Sequence, residues 1–357
     1  MTDTIYEPET NMKPKKILLH RFIIIGISIL TGIVIILFTS SNPDEAIRAF
    51  FLTPFSGNYF FGNMLAASIP LIFTGLAASV AFRAGLFNLG IEGQVYFGAL
   101  IGTITALNLP EMARLPAFLI TIISAASAGA LLTAFSAFLK IRWGVTELIS
   151  TLLIGYSMIH VTDFFLEDIF LDQDLGLIGT EKIKEAFLFE KILPPSSLST
   201  AIFLAAVFIM VLYILQKKGK FGLKVRFYAE NPKFSKYIGL NCNRIALLTM
   251  ILSGALAGIA GIVDILGVQE RMLRGFSSQY GWNGIAVALI SKNNPLWIFP
   301  AAFLFAFLEA GATSGSIFAD LSPEISRIIQ GSIFFLVTAY GLAGFLKERG
   351  RNGNTLP

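Results

Sequence analysis

Side chains that could handle a polar solute gather in one short stretch, Arg83 to Gln94, which reads RAGLFNLGIEGQ. Asn88, Glu92 and Gln94 bring several hydrogen-bond donors and acceptors together there. Gly85, Gly90 and Gly93 break regular helix and let neighbouring backbone approach. Such a set has two uses. It can satisfy orphan backbone groups at helix ends, or it can line or gate a polar path, and the residues alone leave both open. Arg83 reads more simply, as a positive anchor at the inner face of a membrane. Glu147 and Glu309 lie in apolar runs, where an ionisable group by default faces the protein interior or a wet cavity. Glu147 is near the inner end of its run and within reach of the interface. Glu309 is toward the outer end of its run, which makes it a candidate for the outer lining of a path. Asn283 is a further polar residue, in the short apolar run GWNGIAVALI.

Other chemistries find little support. Cys242 is the single cysteine, so an intrachain disulfide and a thiolate metal cluster are both excluded. His20 and His160 are far apart in the sequence, and no metal site is expected. The chain has no phosphate loop of the G-x-x-x-x-G-K-[ST] type, no H-E-x-x-H and no G-x-S-x-G. A formal charge of +4 is too small to suggest nucleic acid as a partner.

The elements that must position these residues are apolar. Hydrophobic residues make up 55% of the 357 and charged residues 14%, with mean hydropathy +0.72, where an average soluble domain carries about a quarter charged residues. The first run, Phe22–Phe38, is longer than a signal-peptide core and lacks a small-x-small cleavage site. At about 1.5 Å per residue it reaches roughly 25 Å, enough to cross a bilayer. Further runs fall near Met64–Phe82, Val95–Leu109, Pro116–Leu139, Val145–Val161, Thr200–Leu215, Ile245–Val268, Trp297–Ala312 and Ile325–Leu346. Gly281–Ile290 is too short to cross alone and reads as a re-entrant or broken helix. The expected fold is therefore all-α, a polytopic transmembrane helical bundle.

Orientation follows from lysine and arginine. The loop 216–244 holds Lys217, Lys218, Lys220, Lys224, Arg226, Lys233, Lys236 and Arg244 against the single acid Glu230, so it belongs in the cytoplasm. The acid-rich loop 163–197 belongs outside, and its stretch GTEKIKEAFLFEKIL predicts a surface helix lying on the membrane or on neighbouring spans. A docking surface for an extracytoplasmic partner is the other reading of that loop. Lys140 and Arg142 mark an inside turn, and Lys347, Arg349 and Arg351 mark an inside C-terminus. Both termini are thus expected in the cytoplasm, as tails over 1–21 and 347–357 around a transmembrane domain of 22–346. About ten spans satisfy every loop, and eight do so if Gly281–Ile290 dips back.

The stretch RAGLFNLGIEGQ resembles the AGxxNIGxEGQ signature of permease subunits of ABC importers for nucleosides and related simple sugars. GVTELISTLLIGY (Gly144–Tyr156) is similar to that family's GVNEVISTLMLNY, and GWNGIAVALISKNNPL resembles its GFDGIAVALLGRNNPL block. RFYAENPKFSKYIGL and the span after it look like the family's cytoplasmic loop and following helix. The ordered matches run from about residue 60 to the end. Thr146 and Gly155 depart from the pattern, each standing where it has Asn, and Asp264 is not expected from it. If the Asn matched by Gly155 contacts solute in relatives, substrate identity here is open.

The resemblance implies a loop that couples to an ATP-hydrolysing subunit through Arg226, Phe227, Ala229, Glu230, Asn231, Pro232, Tyr237 and Gly239. Pro232 suits a first helical turn, and the apolar Phe227, Tyr228, Phe234, Tyr237 and Ile238 need a surface to bury against. It also implies a second, paralogous permease chain and an extracytoplasmic substrate-binding protein or lipoprotein, in a bacterial cytoplasmic membrane. ATP and Mg would be used by the partner ATPase, with no cofactor on this chain. Path candidates are Asn88, Glu92, Gln94, Glu147, Asn283 and Glu309. An ion-coupled secondary transporter would instead need carboxylates near mid-membrane, and an intramembrane enzyme would need a catalytic set.

Overall fold

The computed structural model describes residues 14–336 except 174, 175, 326 and 333. The tail expected over 347–357, with Lys347, Arg349 and Arg351, lies outside the described residues, as does the tail over 1–21 up to residue 13. Among the described residues the chain is helical, and the only β pairing is two isolated bridges. Helices are the form in which an apolar chain satisfies its own backbone in hydrocarbon.

The helices are α1 (Pro14–Thr39), α2 (Pro43–Phe51), α3 (Asn58–Arg83), α4 (Ile91–Asn108), α5 (Arg114–Trp143) and α6 (Glu147–Phe164), followed by α7 (Ala201–Lys217), α8 (Lys220–Glu230), α9 (Pro232–Tyr237), α10 (Cys242–Asp264), α11 (Tyr280–Ile290) and α12 (Pro295–Phe318). α6 and α10 each run on through a π-helical turn, Phe165–Ile169 and Ile265–Gln269. Nine of the expected apolar runs coincide with a helix. The last, Ile325–Leu346, is helical over 327–332 and 334–336.

Among the described residues five helices can cross a membrane by length and composition: α3, α5, α6, α10 and α12 with their continuations. They become six if α7 and α8, bent by 64°, count as one. α4 is diluted by Glu92, Gln94 and Asn108, and α11 has 11 residues, about half a crossing. The chain forms two compact units. One is Leu52–Ala310, and the other combines the chain up to Phe51 with the chain from Gly311. In the second unit α2 buries Ala46, Ala49 and Phe50, and Asp320 accepts from Ser41 N at 2.6 Å.

The larger unit is built around α10. Buried residues fill 83% of the most apolar stretch of α3 and 72% of that of α10, against 28% for α5 and 22% for α6. α3 and α10 are therefore the core, while α5 and α6 keep a face free. α10 packs on its neighbours through glycine. A Cβ on Gly258 would land on the Ala125 carbonyl of α5, one on Gly254 on the Gly129 carbonyl, and one on Gly98 of α4 on Gly258 itself. The small-residue faces Gly98-x3-Gly102 and Gly254-x3-Gly258 thus bring backbones into contact.

The loop between α6 and α7 corrects the expectation of a surface helix. GTEKIKEAFLFEKIL is irregular apart from one 3-10 turn, Glu185–Phe187. Its backbone finds partners elsewhere: Ile183 N donates to Glu270 O at 2.9 Å, and Phe189 N to Leu266 O at 3.0 Å. Thr180 N donates to Met272 O at 2.9 Å. Those tertiary bonds displace the helical ones, and Ile183, Phe187 and Leu188 are buried. The acids of the loop are largely paired, Glu190 with Arg114, Asp172 with Arg271, and Asp163 and Glu167 with Arg274. Glu270, just past α10, is the clamp, held by Lys182 at 2.9 Å and Lys191 at 3.1 Å.

Two outcomes follow. Gly258→Ala should destabilise the fold by about 1–3 kcal/mol, because backbone on both sides has to give way; thermal unfolding in detergent checks this. The Lys182 ammonium bonded to Glu270 holds that carboxyl below its ordinary range. Its contribution is therefore present above the unfolded value of about 4.3 and is lost as pH falls through the depressed folded value. Glu270→Gln mimics the protonated form, and at neutral pH it should speed tryptic cleavage within 182–191 by up to roughly fivefold, the most that partly exposed pairs support.

Candidate functional site

The polar stretch after α3 turns back into the protein. Arg83 stays at the end of α3, where Nη1 donates to Gln216 Oε1 at 3.0 Å, on the side of the basic loop. Residues 85–90 are irregular, and Asn88 Nδ2 donates to Ser253 Oγ at 2.9 Å. Ser253 lies eleven residues beyond Cys242, so Asn88 sits about 16 Å along α10 from its start. Arg83 thus stays at the end of α3, while Asn88 lies beside the middle of α10.

Asn88 and Gln94 are each other's partners. Asn88 Nδ2 donates to Gln94 Oε1 at 2.9 Å, and Gln94 Nε2 donates back to Asn88 Oδ1 at 2.8 Å. Asn88 Oδ1 also accepts from Gly90 N, Ser253 Oγ donates to Ala77 O, and Leu89 N donates to Thr151 Oγ1. Both amides are essentially unexposed, at 0% and 2%. Their hydrogen bonds tie the start of α4 to Ser253 of α10, and Ser253 and Leu89 extend the ties to α3 and α6. That is a structural use.

Glu92 faces elsewhere. Its Oε1 accepts from Ser277 Oγ at 2.7 Å and its Oε2 from Gly281 N at 2.6 Å. The carboxylate thereby caps α11, where a negative charge is favoured by the helix dipole. Ser277 Oγ also accepts from Tyr280 N. The Tyr280 hydroxyl donates to Asp264 Oδ1 at 3.3 Å, and the carboxylates that act on it electrostatically are Asp264, Glu309 and Glu92. Asp264 of α10 thus contacts Tyr280 of α11 directly, and Glu92 of α4 and Glu309 of α12 act on it from farther away. Asn283, half-buried on α11, donates to Ser278 O at 3.4 Å. Glu147 is apart from this group, ion-paired with Lys140 across the turn between α5 and α6. The sequence reading missed Ser277 and Tyr280. A polar SSQY run ahead of a short apolar helix was the available signal.

Gly155 has a packing role. A Cβ there would lie 2.8 Å from Gly90 Cα, so the position presses α6 onto the start of α4.

The basic loop holds two helices, α8 and α9. Val225 and Tyr228 anchor α8, and Arg226 Nε bonds Glu230 at 2.9 Å. Pro232 stands in the first turn of α9, as expected, and Asn231 caps it by accepting from Phe234 N at 2.9 Å. Phe227 and Ala229 are half-buried, and Gly239, at φ 84°, ends the arm. α9 presents apolar side chains to the outside, with Tyr237 91%, Phe234 50% and Ile238 46% exposed.

Residues 60–338 match the family described as branched-chain amino acid transport system / permease component. The chain belongs to that permease family. Among its relatives, the guanosine ABC transporter permease protein NupP of Bacillus subtilis is 31% identical over 94% of this chain and 98% of its own. The nucleoside ABC transporter permease protein NupB of Lactococcus lactis is 28% identical over 92% of each chain. The glucose ABC transporter permease protein TsgB13 of Haloferax volcanii is 28% identical over 84% of this chain and 81% of its own.

In this permease Glu92 joins the start of α4 to the start of α11, so Glu92→Ala should loosen α11. It leaves Gly281 N and Ser277 Oγ without their acceptor, a loss of about 1–3 kcal/mol. Faster hydrogen exchange over 280–290, with Glu92→Gln intermediate, is the expected result.

Proposed function

We propose that this chain is the membrane-spanning permease subunit of an ABC importer, forming the path by which nucleosides or related simple sugars enter the cell. The observation that carries this reading is the nearly end-to-end match to the guanosine permease. The geometry supports it in two places. Glu92, Asp264, Glu309 and Tyr280 put acceptors around one point inside the bundle, suited to a solute rich in hydroxyl and N–H donors. Asn283 and Glu309 complete the path set, while Asn88, Gln94 and Glu147 hold its walls.

The second place is the arm. The exposed Phe234, Tyr237 and Ile238 on α9, flanked by lysines, suit a groove on an ATPase subunit, which uses ATP and Mg. A second permease chain, a paralogue, supplies the other half of the path against the open faces of α5 and α6. A substrate-binding protein or lipoprotein delivers solute at the side of the loop 163–197. In this reading the chain crosses a bacterial cytoplasmic membrane about ten times, with both termini inside. α11 then serves as a half-helix that meets the half-start of α4, the arrangement found where substrates bind between broken helices.

The test is uptake of labelled guanosine by cells producing this chain with its neighbouring transporter subunits. Glu230→Ala with Pro232→Ala should lower uptake and ATPase co-purification by more than about tenfold, a change of 1.4 kcal/mol or greater, with the chain still in the membrane. Uptake that persists without an ATPase and follows a proton or sodium gradient would replace this reading with an ion-coupled transporter.

A further inference from the structure

Five cations crowd one cleft at the foot of α7. Arg83, Lys217, Lys218, Lys220 and Arg226, with Gln216, line a cavity of about 320 Å3. Among the described residues no acid lines it, and Glu230, the single acid of the loop, is bonded to Arg226. Arg83 is half-buried, its hydrogen bond goes to the neutral Gln216, and Arg226 acts on it as a like charge. α8 begins in the cleft, so the positive end of its dipole adds to the field. Lys217, Lys218, Lys220 and Arg226 are exposed around the half-buried Arg83, and like charges gathered this way call for an anion.

The surroundings say which kind. A second, much smaller crevice of about 10 Å3 shares Arg83, Gln216 and Gly222 with the first and is otherwise mostly apolar, lined by Leu212, Leu215, Phe221 and Leu252 among others. Thr249 also lines it, and its buried Oγ1 has no hydrogen-bond partner among the described residues. Above both, α7 exposes Val207, Met210, Val211 and Ile214. A soluble phosphate has no use for that flank, whereas a lipid has a phosphate and acyl chains side by side. Basic pockets beside membrane helices on the cytoplasmic face are suited to anionic headgroups.

We propose that this cleft binds the phosphate of an anionic membrane lipid, with the acyl chains along α7. The lipid then fills the inner angle of the 64° bend between α7 and α8. That bend sets where the arm carrying α9 points, so the lipid stiffens the arm at its root. This inference needs the chain to sit in a membrane, and it does not depend on which solute is carried.

The experiment is native mass spectrometry of the full chain, purified in detergent with the subunits that accompany it, after adding dioleoylphosphatidylglycerol or dioleoylphosphatidylcholine. The glycerol lipid should be retained at least about tenfold better, since each nearby lysine favours an anionic lipid by about that factor or less. Lys217→Gln, Lys218→Gln and Lys220→Gln together should abolish the preference. Lys233→Gln with Lys236→Gln, on α9, should keep it. Excess inorganic phosphate should leave the lipid bound. Equal retention of the two lipids, or a preference that survives the triple change, overturns the proposal. Displacement by inorganic phosphate overturns it too and assigns the cleft to soluble anions. If the triple variant does not assemble, Lys218→Gln and Lys220→Gln singly should each show a smaller loss of preference, and no loss in either overturns the proposal.

Discussion

Backbone contact along α10 is the constraint from which the rest of the larger unit follows. Between membrane helices water offers no hydrophobic drive, so packing has to come from close approach and from internal hydrogen bonds. Gly254 and Gly258 let the carbonyls of α5 reach α10 directly, and Gly261 does the same for Val95 of α4. With α4 and α5 held that close, Ser253 comes within reach of both Asn88 and the Ala77 carbonyl. The buried amide pair is satisfied because the helices are near, and it in turn fixes where α4 starts.

Where α4 starts decides where the acids meet. Glu92, in the first turn of α4, can reach Gly281 because α4 begins inside the unit rather than at its edge. α11, capped by that carboxylate, brings Tyr280 to Asp264. The polar centre is thus assembled from helix starts and ends, and the apolar spans serve to hold them. The α8–α9 arm is a separate construction, anchored by Val225 and Tyr228 and turned by Gly239.

What the sequence made legible divides along physical lines. Apolar runs report burial in hydrocarbon, so the helices and the short α11 could be read from composition. Pro232 and Asn231 act through local geometry, and the start of α9 was legible for the same reason. The depth of Asn88 was not, because it depends on six irregular residues turning inward to a serine 165 positions away. The loop before α7 has an amphipathic pattern, yet its backbone bonds to the end of α10, and nothing in the periodicity encodes that. Glu147 was read as an interfacial or path acid, but Lys140 lies across a turn from it and takes its charge. For Asn88 and Gln94 the residues left two uses open, and only their mutual hydrogen bonds distinguish these.

The contact between Gly155 and Gly90 has an evolutionary meaning. The related pattern carries Asn at that point, and here its Cβ alone would crowd Gly90. A side chain at 155 therefore needs a wider spacing of α6 and α4 than this structure has. Position 93 is tied to the same contact, because a Cβ there would land on the Gly155 carbonyl and Cα. Widening the gap would displace the first turn of α4, and with it the seat of Glu92.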